Sequence, residues 1–515
     1  MTATTTWPVL APDGRPAVDP AIGDLRAFTE TVWKAIAYAQ AADPRGTRLF
    51  RYGSKPARVG WDGRTRVIEP LVTAASLRHE LANLVYFGAP TKGGTLEAQA
   101  PRLDLIENVL WTPAPPLPLL TRLVAFPVFA PTGDLLLRPG FDAASGIYYA
   151  PGEGLEGLGP GDVPVVPTRG DVAWAVYQWV GKLLAEFPFA SPADLAVALA
   201  FALLPHLRDL IDGPSPMTVF DAPQPGTGKS LLARTLLAPV LGHDLRPLTD
   251  LTEPAEWRKQ ITTALQTGTT AVLFDNITGA VTSSALAKAL TDLVWTDRAL
   301  GTNKQITVPV RCCWGLTSNN ASFNGDLTRR TVPCRLDAGT EHPEDRSGFA
   351  LDLEEEPYAR RAVYVRASLV LIRHWLARGA TLFAGRRLGS YERYVAVLGG
   401  VLEAAGVPGF LENLADHRER ADEEHQHWAA FVADWWAWRE KQAGRQGPAG
   451  VSARELHREV YAVGDGYPPI GRDDGEPALA LGYLLRGKRD AVFGGKRVVS
   501  IGRLGNANRW DLCPV

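Results

Sequence analysis

Cysteine is scarce in this sequence, and the few cysteines that occur form no metal-binding pattern. They are Cys312, Cys313, Cys334 and Cys513, and no two of them form a CxxC pair. This pattern argues against a zinc site and against the disulfide framework of a secreted domain. The expected compartment is therefore the reducing cytoplasm.

Net charge and long apolar runs are also nearly absent. The formal net charge is −2, so no overall positive field attracts nucleic acid, and any DNA contact must come from local patches. The longest apolar run, at residues 195–204, is too short to span a bilayer. The first residues lack the basic and apolar segments of a signal peptide. We therefore expect a soluble, intracellular protein without membrane contact.

The chain does have the length and apolar content of a multi-domain protein. Its 515 residues, 46% of them hydrophobic, suffice for about three domains. Short apolar runs broken by Gly and Pro predict a strand-rich N-terminal module, and alternating strands and helices downstream predict a mainly parallel sheet. The predicted segments are a strand-rich module with an initial helix (1–151), a linker (152–170), a helical collar (171–215), an α/β core (216–340), a helical region (341–440), a second linker (441–450) and a winged-helix-like domain (451–515).

A glycine-containing loop gives the strongest chemical signal. A strand pattern at residues 216–222 is followed by PQPGTGKS and then by the start of a helix, which is the context required of a P-loop. Backbone N–H groups of such a loop bind phosphates, its lysine neutralises their charge and its serine ligates Mg²⁺. The strict pattern begins with glycine where this chain has Pro223, and a chance match on a surface loop is the alternative. The predicted ATP-binding residues are Pro225, Gly226, Thr227, Gly228, Lys229, Ser230 and Leu231.

Polar residues at the ends of two later strands strengthen this prediction. Asp275 and Asn276 end the run GTTAVLFDN, where a second Mg²⁺ ligand beside Ser230 is expected. Asn319 and Asn320 end the run VRCCWGLTSNN. Such an amide can orient the water that attacks the γ-phosphate, with structural capping as the alternative.

Two adjacent arginines follow shortly afterwards. Arg329 and Arg330 lie in the run DLTRRTVPC, on a predicted loop before another strand. An arginine supplied across a subunit interface stabilises transition-state charge in many ATPases. A solvated basic pair is the alternative.

Taken in order, the runs PGTGKS, LFDN, TSNN and GDLTRR resemble the motifs of a superfamily 3 helicase of the AAA+ class. The branch in question is that of the primase-helicases of phages, plasmids and integrative elements, and the resemblance covers residues 171–414. It implies an α/β fold with an AAA+ P-loop core, a strand-rich N-terminal module, helical flanking segments and a C-terminal winged helix. It also implies a homo-oligomeric ring, commonly a hexamer, that moves along single-stranded or forked DNA by ATP hydrolysis.

Two features qualify what the resemblance implies. Many AAA+ proteins place an acidic residue directly after the metal-binding Asp to polarise the attacking water, whereas this chain has Asn276. The general base is therefore unassigned, and Glu256 is one candidate. The N-terminal module shows neither a primase site nor a zinc ribbon, so a primase or polymerase would be a separate partner.

Two regions are candidates for DNA contact. Residues 294–311 predict a β-hairpin around GTNK, and the resemblance implies that it enters the ring channel with Arg298, Asn303 and Lys304 on the DNA backbone. An ordinary exposed hairpin is the alternative. The C-terminal piece carries a basic cluster, for which we expect DNA binding or, alternatively, docking of a protein. Its members are Arg486, Lys488, Arg489, Lys496, Arg497, Arg503 and Arg509.

The aromatic run at residues 428–440 has helical spacing, which predicts packing against neighbouring helices rather than stacking on bases. The leading hypothesis for the whole chain is an ATP-dependent DNA helicase acting in the replication of a mobile genetic element. Two alternatives stay open. One is an ATP-gated initiator that assembles on DNA without translocating, and the other is an ATPase that remodels a protein partner.

Overall fold

The computed structural model describes residues 7–43, 46–63, 65–91, 95–242, 245, 247–249, 253–277, 280–298, 305–319, 322–323, 325–421, 423–442, 450–465, 467–468, 477–504 and 507–515. The chain divides into two compact units. The first consists of Met1–Ile277, Ser283–Asn319 and Val332–Glu412, and the second of Thr278–Thr282, Asn320–Thr331 and Asn413–Val515. Both units contain helices and β-strands, so the predicted mixed α/β class is confirmed. The predicted domain boundaries stay predictions.

The N-terminal part of the first unit combines short strands with helices that pack on one another. The predicted initial helix begins at Leu25, where the Asp24 side chain accepts hydrogen bonds from the backbone N–H groups of Arg26 and Ala27. Its apolar face, with Phe28 and Ile36, is buried with Leu81 and Ile106 of two further helices. In chain order the elements are β1 (Ala17–Val18), α1 (Leu25–Ala42), β2 (Leu49–Tyr52), β3 (Lys55–Trp61), β4 (Arg66–Pro70), α2 (Ala74–Leu84), β5 (Tyr86–Pro90), β6 (Leu96–Ala98), α3 (Leu103–Leu110), β7 (Arg122–Val124), β8 (Val128–Phe129), β9 (Leu135–Leu136), β10 (Gly140–Asp142) and β11 (Ile147–Tyr149).

The middle of the chain alternates strands and helices, as predicted. The elements are α4 (Arg169–Val176), which continues as a π-helix, α5 (Pro192–Leu207), β12 (Met217–Ala222), α6 (Lys229–Leu241), α7 (Pro254–Gln266), β13 (Ala271–Ile277), β14 (Ala280–Val281), α8 (Ser284–Ala289), β15 (Val294–Arg298), β16 (Gln305–Pro309), β17 (Cys313–Asn319), β18 (Ser322–Phe323), α9 (Gly325–Thr328) and β19 (Thr331–Arg335).

The central sheet of the first unit has the strand order β13-β17-β12-β19. Both β12 and β13 run parallel to β17. Every residue of β12 is buried, as expected of a parallel strand covered on both faces. Helices α5 and α6 pack against each other beside this sheet. Because the strands are parallel, the carboxyl ends of β12, β17 and β13 meet at one edge.

The remaining elements complete both units. Helices α11 (Arg361–Ala377) and α12 (Glu392–Ala404) lie in the first unit, within the stretch predicted to be helical, and α11 packs on α4, α5 and α6. The elements are α10 (Glu356–Ala359), α11 (Arg361–Ala377), α12 (Glu392–Ala404), α13 (Leu414–Ala421), α14 (Glu423–Gln442), β20 (Val451–Ser452), α15 (Ala453–Leu456), α16 (Pro477–Gly487), β21 (Val492–Phe493), β22 (Lys496–Leu504) and β23 (Ala507–Pro514).

The core of the second unit is built around the tryptophan-rich helix α14. Trp428 and Trp435 of this helix are buried with Leu481 of α16 and with Trp510 of β23. These side chains therefore pack internally, which confirms the prediction of packing rather than base stacking. The same core includes residues on both sides of the predicted linker at residues 441–450. Its sheet has the order β20-β23-β22-β21.

Across the described parts of both units, none of the helices combines the length and the apolarity needed to cross a membrane.

Candidate functional site

The loop between β12 and α6, residues 223–228, is here called the glycine loop. Gly226 and Gly228 adopt left-handed backbone conformations, with φ of 75° and 97°. Residues other than glycine rarely adopt these conformations, because their Cβ atom clashes with the backbone. Gly228 directly precedes α6, so the loop ends at the positive end of the helix dipole. The loop can therefore present backbone N–H groups to an anion.

Lys229 and Asn319 meet at the carboxyl edge of the central sheet. Lys229 Nζ donates to Asn319 Oδ1 at 2.6 Å and to the carbonyl oxygen of Gln224 at 3.3 Å. Burial lowers the pKa of Lys229, and the nearby carboxylates of Asp221 and Asp275 oppose that shift. The strand that carries Asn319 lies between the other two strands of the site, which places its amide between the glycine loop and Asp275.

The Asp275 carboxylate lies beside the start of α6. Its Oδ1 accepts from Ser230 Oγ at 2.6 Å and from Thr317 Oγ1 at 2.6 Å, and its Oδ2 accepts from Arg234 Nη2 at 3.1 Å. Burial opposes ionisation of Asp275, but these hydrogen bonds outweigh it and hold its pKa below the ordinary value. Asp275 is therefore ionised at neutral pH and held by three neighbours.

Ser230 and Asp275 supply the kind of oxygen ligands that fit Mg²⁺. Mg²⁺ in phosphate-binding enzymes is held by one or two carboxylates together with substrate phosphates. In the described residues no group of three His, Cys, Asp or Glu side chains could hold a metal ion. The donor set therefore fits a cation that arrives with a phosphate ligand.

The backbone conformation at position 276 favours asparagine. Its φ is 56°, in the left-handed region where asparagine is enriched. The register between β13 and β17 shifts between Phe274 and Ile277, and the Asn276 N–H leaves the ladder to donate to Thr317 Oγ1 at 2.7 Å. The other general-base candidate, Glu256, is a half-buried residue in the first turn of α7.

Sequence reasoning missed Thr317 and Arg234. Strand periodicity places Thr317 on the same side of β17 as Asn319, and helical periodicity places Arg234 on the same face of α6 as Ser230. These two spacings were the available signals.

A partly buried ion pair joins β19 to β12 close to the start of the glycine loop. Arg335, the last residue of β19, pairs with Asp221 of β12. Nothing local in the sequence joins these two residues, because they lie more than a hundred positions apart.

The arginine pair lies in the second unit. Arg329 Nη2 and Arg330 Nη2 are 2.7 Å and 3.1 Å from Asp326 Oδ1. The Arg329 side chain is 68% exposed, whereas that of Arg330 is 20% exposed. Of the two side chains, that of Arg329 is therefore the more accessible. Asn320 lies outside the described residues.

The predicted hairpin is present as the antiparallel strands β15 and β16, and its last described pair is Arg298 with Gln305. Arg298 is exposed, while Asn303 and Lys304 lie outside the described residues. The hairpin is tied to α7 through Asp297, which accepts from Arg258 Nε at 3.0 Å and from Thr262 Oγ1 at 2.7 Å. The hydrogen bonds from Arg258 lower the pKa of Asp297 to about 2.

The basic cluster of the second unit divides into exposed and engaged side chains. The Lys496 ammonium lies 4.5 Å from the ring centroid of Trp436, a cation–π contact. Arg509, counted with this cluster in the sequence, is buried and paired with Glu455 at 2.9 Å. It therefore stabilises the fold and adds no exposed charge. Lys488 is half-buried, and the exposed members are Arg486, Arg489, Arg497 and Arg503.

No known protein-family model matches this chain, and no curated protein is significantly similar to it. The solved structures similar to it include helicases. The apo C-terminal region of NrS-1 shares 11% identity at a TM-score of 0.40, over 93% of this chain and 98% of that one. The helicase Cch of SCCmec type IV shares 11% sequence identity at a TM-score of 0.36, over 91% of this chain and 93% of that one. JCV helicase shares 13% sequence identity at a TM-score of 0.23, over 50% of this chain and 66% of that one.

Proposed function

We propose that this protein is an ATP-hydrolysing enzyme that acts as a DNA helicase. The observation that carries the proposal is the convergence of Lys229, Ser230, Asp275 and Asn319 at one sheet edge. A cation, a hydroxyl, an ionised carboxylate and an amide, beside a loop that can present backbone N–H groups, are the groups that phosphoryl transfer requires.

Each side chain has a role in this proposal. The glycine loop and Lys229 bind the phosphates of ATP, and Ser230 and Asp275 hold Mg²⁺. When bound, Mg²⁺ neutralises charge on the phosphates. Thr317 and Arg234 position the Asp275 carboxylate, and Asn319 orients the attacking water. Asn276 acts through its backbone conformation, since its side chain is exposed.

The AAA+ and superfamily 3 assignments, and with them a hexameric ring, belong to the same proposal. They are supported by the strand order, in which the Asn319 strand separates the glycine-loop strand from the Asp275 strand. In such a ring Arg329 reaches the nucleotide of a neighbouring subunit, because it is the more exposed arginine of the pair. A trans-acting residue must be accessible from outside its own subunit.

DNA contact is proposed at two places. The hairpin β15–β16, with Arg298, Asn303 and Lys304, contacts the backbone of single-stranded DNA by phosphate contacts. The second unit, proposed to be a winged helix that includes α14, contacts DNA through its exposed arginines. The biological setting proposed is the cytoplasmic replication of a mobile genetic element, with a separate primase or polymerase as partner.

The first experiment measures ATP hydrolysis with and without single-stranded DNA, using Lys229→Ala as the blank. The proposal expects DNA to stimulate hydrolysis and the enzyme to unwind a forked substrate. Hydrolysis that ignores DNA would favour an ATPase that remodels proteins. Stimulation without unwinding would favour an ATP-gated initiator, a reading that the exposed arginines of the second unit also support.

A mixing experiment tests the role of Arg329. Arg329→Ala and Lys229→Ala are each expected to be inactive alone, because an arginine of this kind contributes about 10³-fold or more to hydrolysis. Mixed rings contain interfaces with an intact Lys229 on one side and an intact Arg329 on the other. Recovery of activity on mixing is therefore expected, and a mixture as inactive as its components would remove Arg329 from the proposal.

A further inference from the structure

The segment that follows β19 returns to the glycine loop. We call residues 340–346 the strap. The side-chain amide of Gln224, oriented with its nitrogen toward the strap, donates to the carbonyl oxygens of Thr340 at 2.7 Å and Glu341 at 3.1 Å. The backbone carbonyl of Gln224 accepts from Lys229 Nζ at 3.3 Å. One residue of the glycine loop therefore contacts both the strap and the lysine of the site.

The strap places a carboxylate against Gly226. A Cβ built on Gly226 would lie 2.9 Å from Oε2 of Glu344 and 3.3 Å from its backbone N. Hydrogen bonds from its own backbone N–H and from His342 lower the pKa of Glu344, so the carboxylate is ionised at neutral pH. A negative charge thus borders the loop that is proposed to bind phosphates.

The position of this charge is set by contacts on either side of it. Pro343 is buried directly before Glu344. After it, Arg346 Nη2 donates to the carbonyl oxygen of Glu186 at 2.7 Å, and Ala350 N donates to Glu186 Oε1 at 2.9 Å. The backbone that carries Glu344 is therefore held beside the glycine loop, while the Glu344 side chain itself is 57% exposed.

We propose that Glu344 is a specificity-determining residue that makes the site favour the Mg²⁺ complex of a nucleoside triphosphate over the metal-free triphosphate. This inference rests on the proposed function. The metal-free triphosphate carries more negative charge than its Mg²⁺ complex, and repulsion by a fixed carboxylate grows with the charge of the ligand. A repulsive element of this kind discriminates between ligands that make the same attractive contacts.

The test compares the dissociation constants of ATP with Mg²⁺ and with excess chelator, at low ionic strength where exposed charges act most strongly. Glu344→Gln should tighten the binding of metal-free ATP by about three- to tenfold, because one unit charge at short range is removed. Because the Mg²⁺ complex carries about half the charge, the same substitution should tighten its binding by only about two- to threefold. Asp345→Asn removes an equal charge from the same 3₁₀ turn and should leave the discrimination in place.

Three results would overturn the inference. Glu344→Gln could change both dissociation constants equally, or neither, and Glu344 would then not discriminate. It could also weaken ATP while leaving inorganic tripolyphosphate unaffected, which would make Glu344 a ligand of the nucleoside. Failure of the wild-type protein to bind any nucleotide would refute the proposed function itself. The titration of the wild type alone distinguishes this result from a failure of the inference about Glu344. An unchanged melting temperature establishes that each variant is folded.

Discussion

Lys229 and Asn319 hold each other across the edge of the central sheet, with Nζ donating to Oδ1 at 2.6 Å. The contact joins the first residue of α6 to the last residue of β17. In the proposed mechanism the ammonium group of Lys229 binds a phosphate of ATP instead of Asn319. The amide of Asn319 can then bind the attacking water. The pair therefore links phosphate binding to water orientation.

Asn319→Ala should separate these two steps. We expect ATP affinity to change little, because the glycine loop and Lys229 remain, and hydrolysis to fall about 10²-fold, as when other preorganised hydrogen-bonding groups are removed. Lys229→Ala is the contrasting variant, since it should lose binding as well. Nucleotide titration and single-turnover kinetics give the two quantities separately. If Asn319→Ala abolished binding, its role would be structural.

Thr317→Val tests whether the hydroxyl positions Asp275. The valine keeps the shape of the side chain but removes the donor to Asp275 Oδ1 and the acceptor for the Asn276 N–H. We expect the Mg²⁺ concentration for half-maximal hydrolysis to rise about tenfold, a typical cost of losing a partner that orients a metal ligand. Ser318→Ala, an equally buried hydroxyl bonded to a carbonyl group instead, is the matched control. Equal effects of both substitutions would point to general destabilisation.

Asp297 should make the stability of the hairpin depend on pH. Hydrogen bonds from Arg258 lower its folded pKa to about 2, below the unfolded value near 4. The ionised carboxylate therefore stabilises the fold above about pH 4, and this contribution is lost as the pH falls toward 2. At neutral pH the Asp297→Asn variant should be less stable than the wild type by about 1 kcal/mol. This value is small because solvent screens the exposed guanidinium of Arg258.

Urea unfolding of the first unit at several pH values measures this difference. The gap between Asp297→Asn and the wild type should narrow as the pH is lowered from about 5 toward 3. Asp292→Asn makes the same charge change in the turn before the hairpin and should show no such narrowing. A gap that stayed constant with pH would mean that Asp297 acts by packing alone.

The second unit should depend on α14. Trp435 is 1% exposed within the shared core, so Trp435→Ala should destabilise this unit by about 3–5 kcal/mol. Trp61, which is 57% exposed, provides a tryptophan-to-alanine control with a small expected effect. Tryptophan fluorescence during chemical unfolding follows both variants. A fragment that begins at residue 451 should not fold, whereas one that begins before Glu423 should.

The sequence predicts those parts of the site that depend on local patterns. The run PQPGTGKS defines both a loop and the start of a helix, and the apolar runs before Asp275 and Asn319 define buried strands. Parallel strands bring their carboxyl ends together whatever the details of packing. Lys229, Ser230, Asp275 and Asn319 could therefore be assigned to one site before any contact was seen.

Contacts between distant elements could not be predicted in this way. The pairing of Arg335 with Asp221, and the return of the strap to Gln224, depend on how the chain crosses between elements. The packing of α14 with elements beyond residue 450 could not be predicted either, because the Gly- and Pro-containing run at residues 441–450 is typical of a linker. Arg509 was counted with the basic cluster because nothing local in the sequence indicates its ion pair with Glu455.

The left-handed backbone of Asn276 also limits how this site can change during evolution. At a φ of 56°, glycine, asparagine and aspartate are tolerated, whereas a longer side chain costs roughly 1–2 kcal/mol. A glutamate at this position would therefore be disfavoured as long as the bulge in β13 and the hydrogen bond to Thr317 persist. Aspartate is the acidic residue that this backbone accepts, so selection for a carboxylate beside Asp275 would favour Asn276→Asp over a glutamate.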